Sequence, residues 1–235
     1  MYQSVVVTGG TRGIGLAIVK RFAKEGYDII TCGRDTETGR KLVQDFKKWF
    51  PERNLHFYAS DLSTPSGCMD FVNFVHALAH PILALVNNTG YFKPGSILEE
   101  PEGQLEGMIN ANLYSAYHLS RGIVPQMIQS GKGHVFNICS IASIMAYANG
   151  GSYSISKFAM LGMSKVLREE TKKTGVKVTA VLPGAVLTDS WAGVDLPGER
   201  FIQPHDVADA IWSCYSLGPG AVVEELLIRP QLGDI

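Results

Sequence analysis

Tyr153 and Lys157 stand four residues apart in a segment with helical periodicity, so both side chains project from one face of that helix. A free phenol titrates near about pH 10, and a neighbouring ammonium is expected to lower that value by favouring phenolate, which makes the pair a means of passing a proton. Ser140, thirteen residues earlier, closes an apolar run that reads as a strand, and side chains at the carboxyl edge of a parallel sheet meet the bound ligand. A second group lies near the start of the chain, where Thr8-Gly9-Gly10-Thr11-Arg12-Gly13-Ile14-Gly15 separates a strand-like run from a helical one. Gly9 can make the tight turn, Gly13 lets backbone N–H groups approach a pyrophosphate, and Gly15 lets the helix pack close to the strand. The helix N-terminus then meets the anion with unpaired donors and the positive end of its dipole.

A dinucleotide fold that selects NAD holds an acidic residue at the end of its second strand, where it bonds the ribose 2′-hydroxyl. Here the chain reads Cys32-Gly33-Arg34-Asp35. Gly33 occupies the place of the acid, and the Arg34 guanidinium has the fork geometry that matches a phosphate. NADP(H) is therefore expected over NAD(H), with Arg12 adding attraction for a 2′-phosphate. Asp35 keeps the other choice open, because a shift of one register position would restore an acid.

These residues need elements to hold them. Apolar, β-rich runs recur at 4–7, 28–32, 55–59, 82–86, 134–139, 176–182 and 222–228. Most are nearly continuous in apolar residues, as expected of parallel strands covered on both faces. Helix-like segments lie between them at 14–24, 37–50, 67–80, 104–129, 152–173 and 204–217. The alternation predicts an α/β fold, a Rossmann-type doubly wound sheet of seven parallel strands with helices on both faces. No repeat or Pro/Ser-rich linker interrupts it, so residues 1–235 read as one domain, with a lid over 189–203 as the only long stretch without clear periodicity. The helices over 104–129 and 152–173 carry wider apolar arcs than packing on a sheet needs, which points to a homodimer or homotetramer.

The 235 residues include 46% hydrophobic and 18% charged, within the ordinary globular range, so disorder is excluded as the main state. A net charge of −1 leaves no excess to attract a nucleic acid or an anionic membrane, and a small-molecule partner is expected. The apolar run Ile82–Val86 is far short of the ~20 residues that cross a bilayer, and a strand begins too close to Met1 to leave room for a leader. A cytoplasmic location is expected. Cys32, Cys68, Cys139 and Cys214 form no CxxC pair and read as reduced, buried thiols. His76 and His80 have zinc-like spacing but no third ligand in view, so no metal is expected.

Taken together, the chain resembles the short-chain dehydrogenases/reductases, in the branch of about 250 residues. The likeness spans TGGTRGIG at 8–15, DLS at 61–63, NNTG at 87–90, Asn112 within INANL, Ser140, YSISK at 153–157 and PGAVLT at 183–188. One departure is Thr89, where the family usually has Ala. The resemblance implies NADPH-dependent reduction of a ketone, in which hydride passes to the carbonyl carbon and the alkoxide takes a proton. It makes Tyr153 the general acid, gives Lys157 the ribose hydroxyls, has Ser140 bond the substrate oxygen, and has Asn112 position a water between Lys157 and solvent. It extends cofactor contact to Thr11, Ile14, Asp61 (at the adenine amino group), Leu62, Asn88 and Gly90, with Asn87 also shaping the nicotinamide side of the cleft. Pro183, Gly184, Val186 and Thr188 follow, the last at the carboxamide. Asp61 also reads as an ordinary cap. Trp191 in the lid is a candidate for stacking on a flat substrate. The run PGAVLTDSW, the short lid and the carboxyl-terminal end look like sepiapterin-reductase-like members; 3-oxoacyl-carrier-protein reductases and a non-enzymatic NADP(H) redox sensor are the alternatives.

Overall fold

A computed structural model describes residues 3–191 and 193–235. Seven strands form one sheet: β1 (Ser4–Thr8), β2 (Asp28–Gly33), β3 (Leu55–Ala59), β4 (Ile82–Asn87), β5 (Gly133–Ile138), β6 (Val176–Pro183) and β7 (Glu225–Ile228). Their spatial order is β3-β2-β1-β4-β5-β6-β7, and every pair is parallel. The expected doubly wound fold is present. The direction of winding reverses between β1 and β4, which opens a crevice above their carboxyl ends where this architecture takes its ligands.

Alternate residues of β1 face opposite layers, as the two-residue pleat requires. Val5 and Val7 pack with Ile18 and Phe22 of α1 (Gly13–Lys24), Phe46 of α2 (Thr36–Trp49) and Ile211 of α7 (Pro204–Tyr215). Val6 faces the other layer, with Phe71 of α3 (Pro65–Ala77) and Ile123 of α5 (Ser115–Ser130). On that same side α6 (Gly151–Thr171) seats Met160 and Leu161 against Ala180 and Leu182 of β6. Rings such as Phe22 and Phe71, fully buried, each contribute about 1.5–3 kcal/mol relative to exposure, so the sheet that carries the site is held from both faces.

Three expectations need correction. The helix expected over 104–129 is divided: α4 (Gln104–Ile109) passes through a π-helical turn at Asn110–Tyr114 into α5. The last strand begins at Glu225 rather than 222, because the Thr179 hydroxyl donates to the Val223 carbonyl and the ladder starts only beyond it. The lid is not the only long irregular stretch, since residues 88–103 contain no helix and only an isolated bridge at Gly95. Helical periodicity gives no warning there: Ile97 and Leu98 face solvent. The lid itself carries two short 3-10 turns, Asp189–Trp191 and Gly198–Arg200, and is tied down by Leu187 and Ile202 N–H groups donating to the Ile202 and Ala185 carbonyls.

The apolar arcs of α5 and α6 are only partly covered. Ile155, Phe158 and Val166 form an exposed stripe on α6, as do Tyr117 and Ile128 on α5 together with the preceding Tyr114. All four cysteines are buried free thiols. Among the described residues no helix is long and apolar enough to cross a membrane.

Candidate active site

Gly9 and Gly13 have φ of +64° and +53°, a left-handed conformation that a side chain would strain. At Gly15 the constraint is space: a Cβ there would collide with the Gly9 carbonyl oxygen and come within 2.6 Å of Asn88 Nδ2. The turn is strapped to the end of β4, with the Asn88 and Thr89 N–H groups donating to Thr8 Oγ1 at 2.9 Å and Asn88 Nδ2 donating to the Thr8 carbonyl at 2.8 Å. Thr89, the departure from the family pattern, places its hydroxyl against the same turn. Above it, α1 begins after Arg12 with no side-chain cap and no acidic residue in its first turn, so its leading N–H groups remain available to an anion. Ile14 packs into the core beneath, and the Thr188 methyl stands over Gly13. A glycine cradle backed by free helical donors fits a pyrophosphate.

At the adenosine end Gly33 is the last residue of β2, and a Cβ there would lie 3.1 Å from the Thr11 methyl. Arg34 follows, exposed. Asp35, the acid one position further on, is the N-cap of α2, its carboxylate accepting from Thr38 N–H at 2.7 Å. These bonds hold its carboxyl below the ordinary range. Asp61 accepts at Oδ1 from both the N–H and the hydroxyl of Ser63; those bonds, with the nearby charge of Arg34, lower its carboxyl. Leu62 is buried beside it. Arg12, expected to help at the ribose, instead pairs with Asp189 of the lid at 3.0 Å, both groups largely in solvent.

Ser140, Tyr153, Lys157 and Asn112 converge on the other side of the crevice. Ser140 lies just past β5, where its Oγ accepts from Ala142 N–H at 3.1 Å and caps a 3-10 turn. Tyr153 is the third residue of α6, half-buried, with its phenol near the Ser140 side chain and the Phe92 ring edge-on at 4.9 Å. Lys157 is buried one turn later, its Nζ donating to the Ile138 carbonyl at 2.8 Å and lying 5.7 Å from the centre of the Tyr153 ring.

The expected lowering of the phenol is overturned. Burial pushes Tyr153 up to about 12, the Ser140 hydrogen bond opposing it only in part, and burial brings Lys157 down to about 8. The ammonium points at a backbone carbonyl rather than at the phenol, so loss of water outweighs charge for both groups. In the free cleft at neutral pH the phenol keeps its proton.

Asn112, fully buried, occupies the π turn, and such turns re-aim side chains by inserting an extra residue. Its Oδ1 accepts from Tyr91 N–H at 2.9 Å, while Nδ2 donates to the Tyr91 carbonyl at 3.1 Å and to Ser156 Oγ at 2.9 Å. Ser156 Oγ in turn donates to the Tyr153 carbonyl at 2.7 Å. Gly90 closes this corner, where a Cβ would stand 2.8 Å from Asn112 Oδ1 and 3.8 Å from Lys157 Nζ. Asn87 lies within the sheet instead of the cleft, donating to Asn137 Oδ1 and Ser120 Oγ. Pro183 ends β6, and Gly184 donates to the Ile228 carbonyl while Val186 is buried under the lid. Trp191 packs its ring on Phe201 at 5.2 Å, and its backbone N–H donates to the Thr188 carbonyl. His76 bonds the Gly122 carbonyl and His80 bonds Ser4.

Phe92 and Ser156 escaped the sequence reading. Ser156 stands three residues after Tyr153 and one before Lys157, so helical spacing could have suggested it; nothing local signals Phe92.

Residues 3–196 match the family model described as short chain dehydrogenase. This chain belongs to the short-chain dehydrogenase family. Among curated relatives, the sepiapterin reductase of Chlorobaculum tepidum is 29% identical over 242 residues, covering 100% of this chain and 99% of that one. Among solved structures, a metagenomic short-chain oxidoreductase in complex with NADP superposes with a TM-score of 0.84 at 29% identity, covering 97% of each chain. L-Sorbose reductase from Gluconobacter frateurii, complexed with NADPH and L-sorbose, gives 0.88 at 26% identity over 97% of this short-chain dehydrogenase and 95% of its own chain. The chain is thus an oxidoreductase of this family.

Proposed function

We propose that the protein is an NADPH-dependent carbonyl reductase with Tyr153 as proton donor, Lys157 and Asn112 supporting it and Ser140 holding the substrate oxygen. The observation that carries this reading is the gathering of Ser140, Tyr153 and Lys157, with Lys157 Nζ 5.7 Å from the centre of the Tyr153 ring, beside a glycine-lined cleft. A dinucleotide held by the Gly9–Gly15 turn and the start of α1 would supply hydride to the carbonyl carbon. Negative charge then grows on the carbonyl oxygen, where the Ser140 hydroxyl stabilises it and the Tyr153 O–H donates its proton. Lys157, as ammonium, stabilises the phenolate left behind and offers donors to ribose hydroxyls. Asn112 holds Tyr91 and Ser156 in place around the pair.

The preference for NADP(H) is supported by three features: no acid at the end of β2, Arg34 free beyond it, and Asp35 committed to its cap. NADP or NADPH in two similar structures points the same way. Arg34→Ala is expected to weaken NADPH binding about 10–100-fold, the size of a lost charge-assisted contact, with NADH affected less than threefold. Fluorescence titration with both cofactors checks this, and equal losses would contradict 2′-phosphate recognition.

Turnover with diketones, sepiapterin and 3-oxoacyl thioesters tests the function as a whole. A sepiapterin-type pteridine substrate draws support from the full-length likeness to the C. tepidum enzyme. Binding of NADPH with no turnover of any carbonyl would favour the sensor. The assembly unit we infer is a homodimer or homotetramer built on the exposed stripes of α5 and α6; light scattering coupled to size exclusion should read a multiple of 25.6 kDa.

A further inference from the structure

We propose that Glu100 is a positioning residue for the proton donor: from the irregular 88–103 segment its carboxylate clamps the first turn of α6 and so sets where the Tyr153 phenol stands. This rests on the reading of Tyr153 as the donor.

The first turn of any helix leaves N–H groups without partners. In α6 the preceding residue is Gly150, which has no side chain to supply a cap. Glu100 supplies it from 52 positions away: Oε1 accepts from Ser152 N–H at 2.9 Å, and Oε2 accepts from the Ser152 hydroxyl. An anion at this end of the helix is also favoured by the helix dipole. Two glycines make the slot. A Cβ on Gly151 would collide with Glu100 Oε1, and one on Gly95 would lie 2.6 Å from Glu100 Cγ. The two segments are further joined where Gly95 N–H donates to the Asn149 carbonyl at 3.0 Å.

Ser152 immediately precedes Tyr153. The tyrosine is therefore gripped on its N-terminal side by Glu100 through Ser152, and at its carbonyl by Ser156 and, behind that, Asn112. Removing one grip frees the turn to fray, and the ring swings off Ser140. A misplacement near 1 Å at a reacting group can cost about a hundredfold in rate. The cofactor cradle, on the far side of the crevice, is untouched by the clamp.

Steady-state kinetics on Glu100→Ala should show kcat lowered about 10–100-fold, with KM and the NADPH dissociation constant within about threefold. Glu100→Gln keeps an acceptor for Ser152 N–H and should recover to within about fivefold of wild type. A second readout is ultraviolet titration of the apo protein with Tyr153→Phe as baseline. In Glu100→Ala the Tyr153 midpoint should fall toward that of a free phenol as the ring reaches water. Because an unfolded chain would also titrate near about 10, circular dichroism over the same pH range must show that the variant stays folded. If Glu100→Ala does not fold, Glu100→Gln and Ser152→Ala carry both measurements with the same expected directions and smaller size. Unchanged kcat with an unmoved midpoint overturns the proposal, as does a fall in kcat matched by an equal loss of cofactor affinity. Should the wild type reduce no carbonyl, the functional reading fails while the titration still decides the clamp.

Discussion

Tyr153→Phe is expected to lower kcat about a thousandfold and leave the NADPH dissociation constant within about twofold. The substitution removes one oxygen and keeps the ring against Phe92, so packing and the course of α6 are preserved. What disappears is the proton that must reach the alkoxide as hydride arrives, a contribution of about 10²–10⁴ where a side chain acts as general acid. Cofactor affinity is spared because the phosphate cradle belongs to a different layer of the crevice, built from the turn after β1 and the start of α1. Single-turnover absorbance of NADPH with a saturating ketone separates the two quantities. Retained turnover would remove Tyr153 from its role, whereas a parallel loss of binding would mean that the hydroxyl serves the cofactor more than the chemistry.

Lys157→Met is expected to abolish most activity and yet raise thermal stability at neutral pH. Burial lowers the Lys157 amine from 10.5 to about 8. Between these values the unfolded chain holds a proton that the folded one has released, so stability rises as pH climbs through that window. Below it, the buried charge costs folding on the order of 3 kcal/mol. Methionine fills similar space without charge. It forfeits the bond to the Ile138 carbonyl, worth about 1–3 kcal/mol, so the net gain is at most a few degrees in Tm. Thermal melts near neutrality and again near about pH 10 should show the advantage of the variant shrinking as the wild-type amine discharges. A lower Tm for the variant at neutral pH would show that the carbonyl bond outweighs the charge. The same titration governs catalysis in the wild type, whose reductive kcat should fall as pH rises through about 8 and the ammonium beside the phenol is lost.

Lys157 and Tyr153 show why the site is costly and useful together. Each is driven toward neutrality by the same loss of water: the phenol is held protonated and the amine is made easier to discharge. The Tyr153 shift favours the protonated phenol that a donor needs before reaction, whereas the Lys157 shift brings loss of the supporting ammonium close to neutral pH. The carbonyl of Ile138 and the hydroxyl of Ser140 are the polar partners that keep this tolerable inside the fold.

The glycine turn, the Tyr-Lys pair and the alternation of strands and helices could all be read from the chain, because each is a matter of local spacing. A turn followed by a helix needs glycine at particular offsets, two side chains four apart share a helical face, and strands buried on both sides are apolar throughout. Asp35 as a helix cap was decided by an N–H three residues on, and Arg12 by an acid 177 positions away. The π turn under Asn112 and the reach of Glu100 to Ser152 depend likewise on contacts with no local signature. The sign of the Tyr153 shift is the clearest case: adjacency to a lysine argues for a lower value, and burial reverses it. Sequence alone determined the glycine turn, the helical spacing of Tyr153 and Lys157 and the order of strands and helices; only the packed structure decided which side chains meet, how much water they keep and which way their protons lean, since dielectric and through-space distance are properties of the assembled fold.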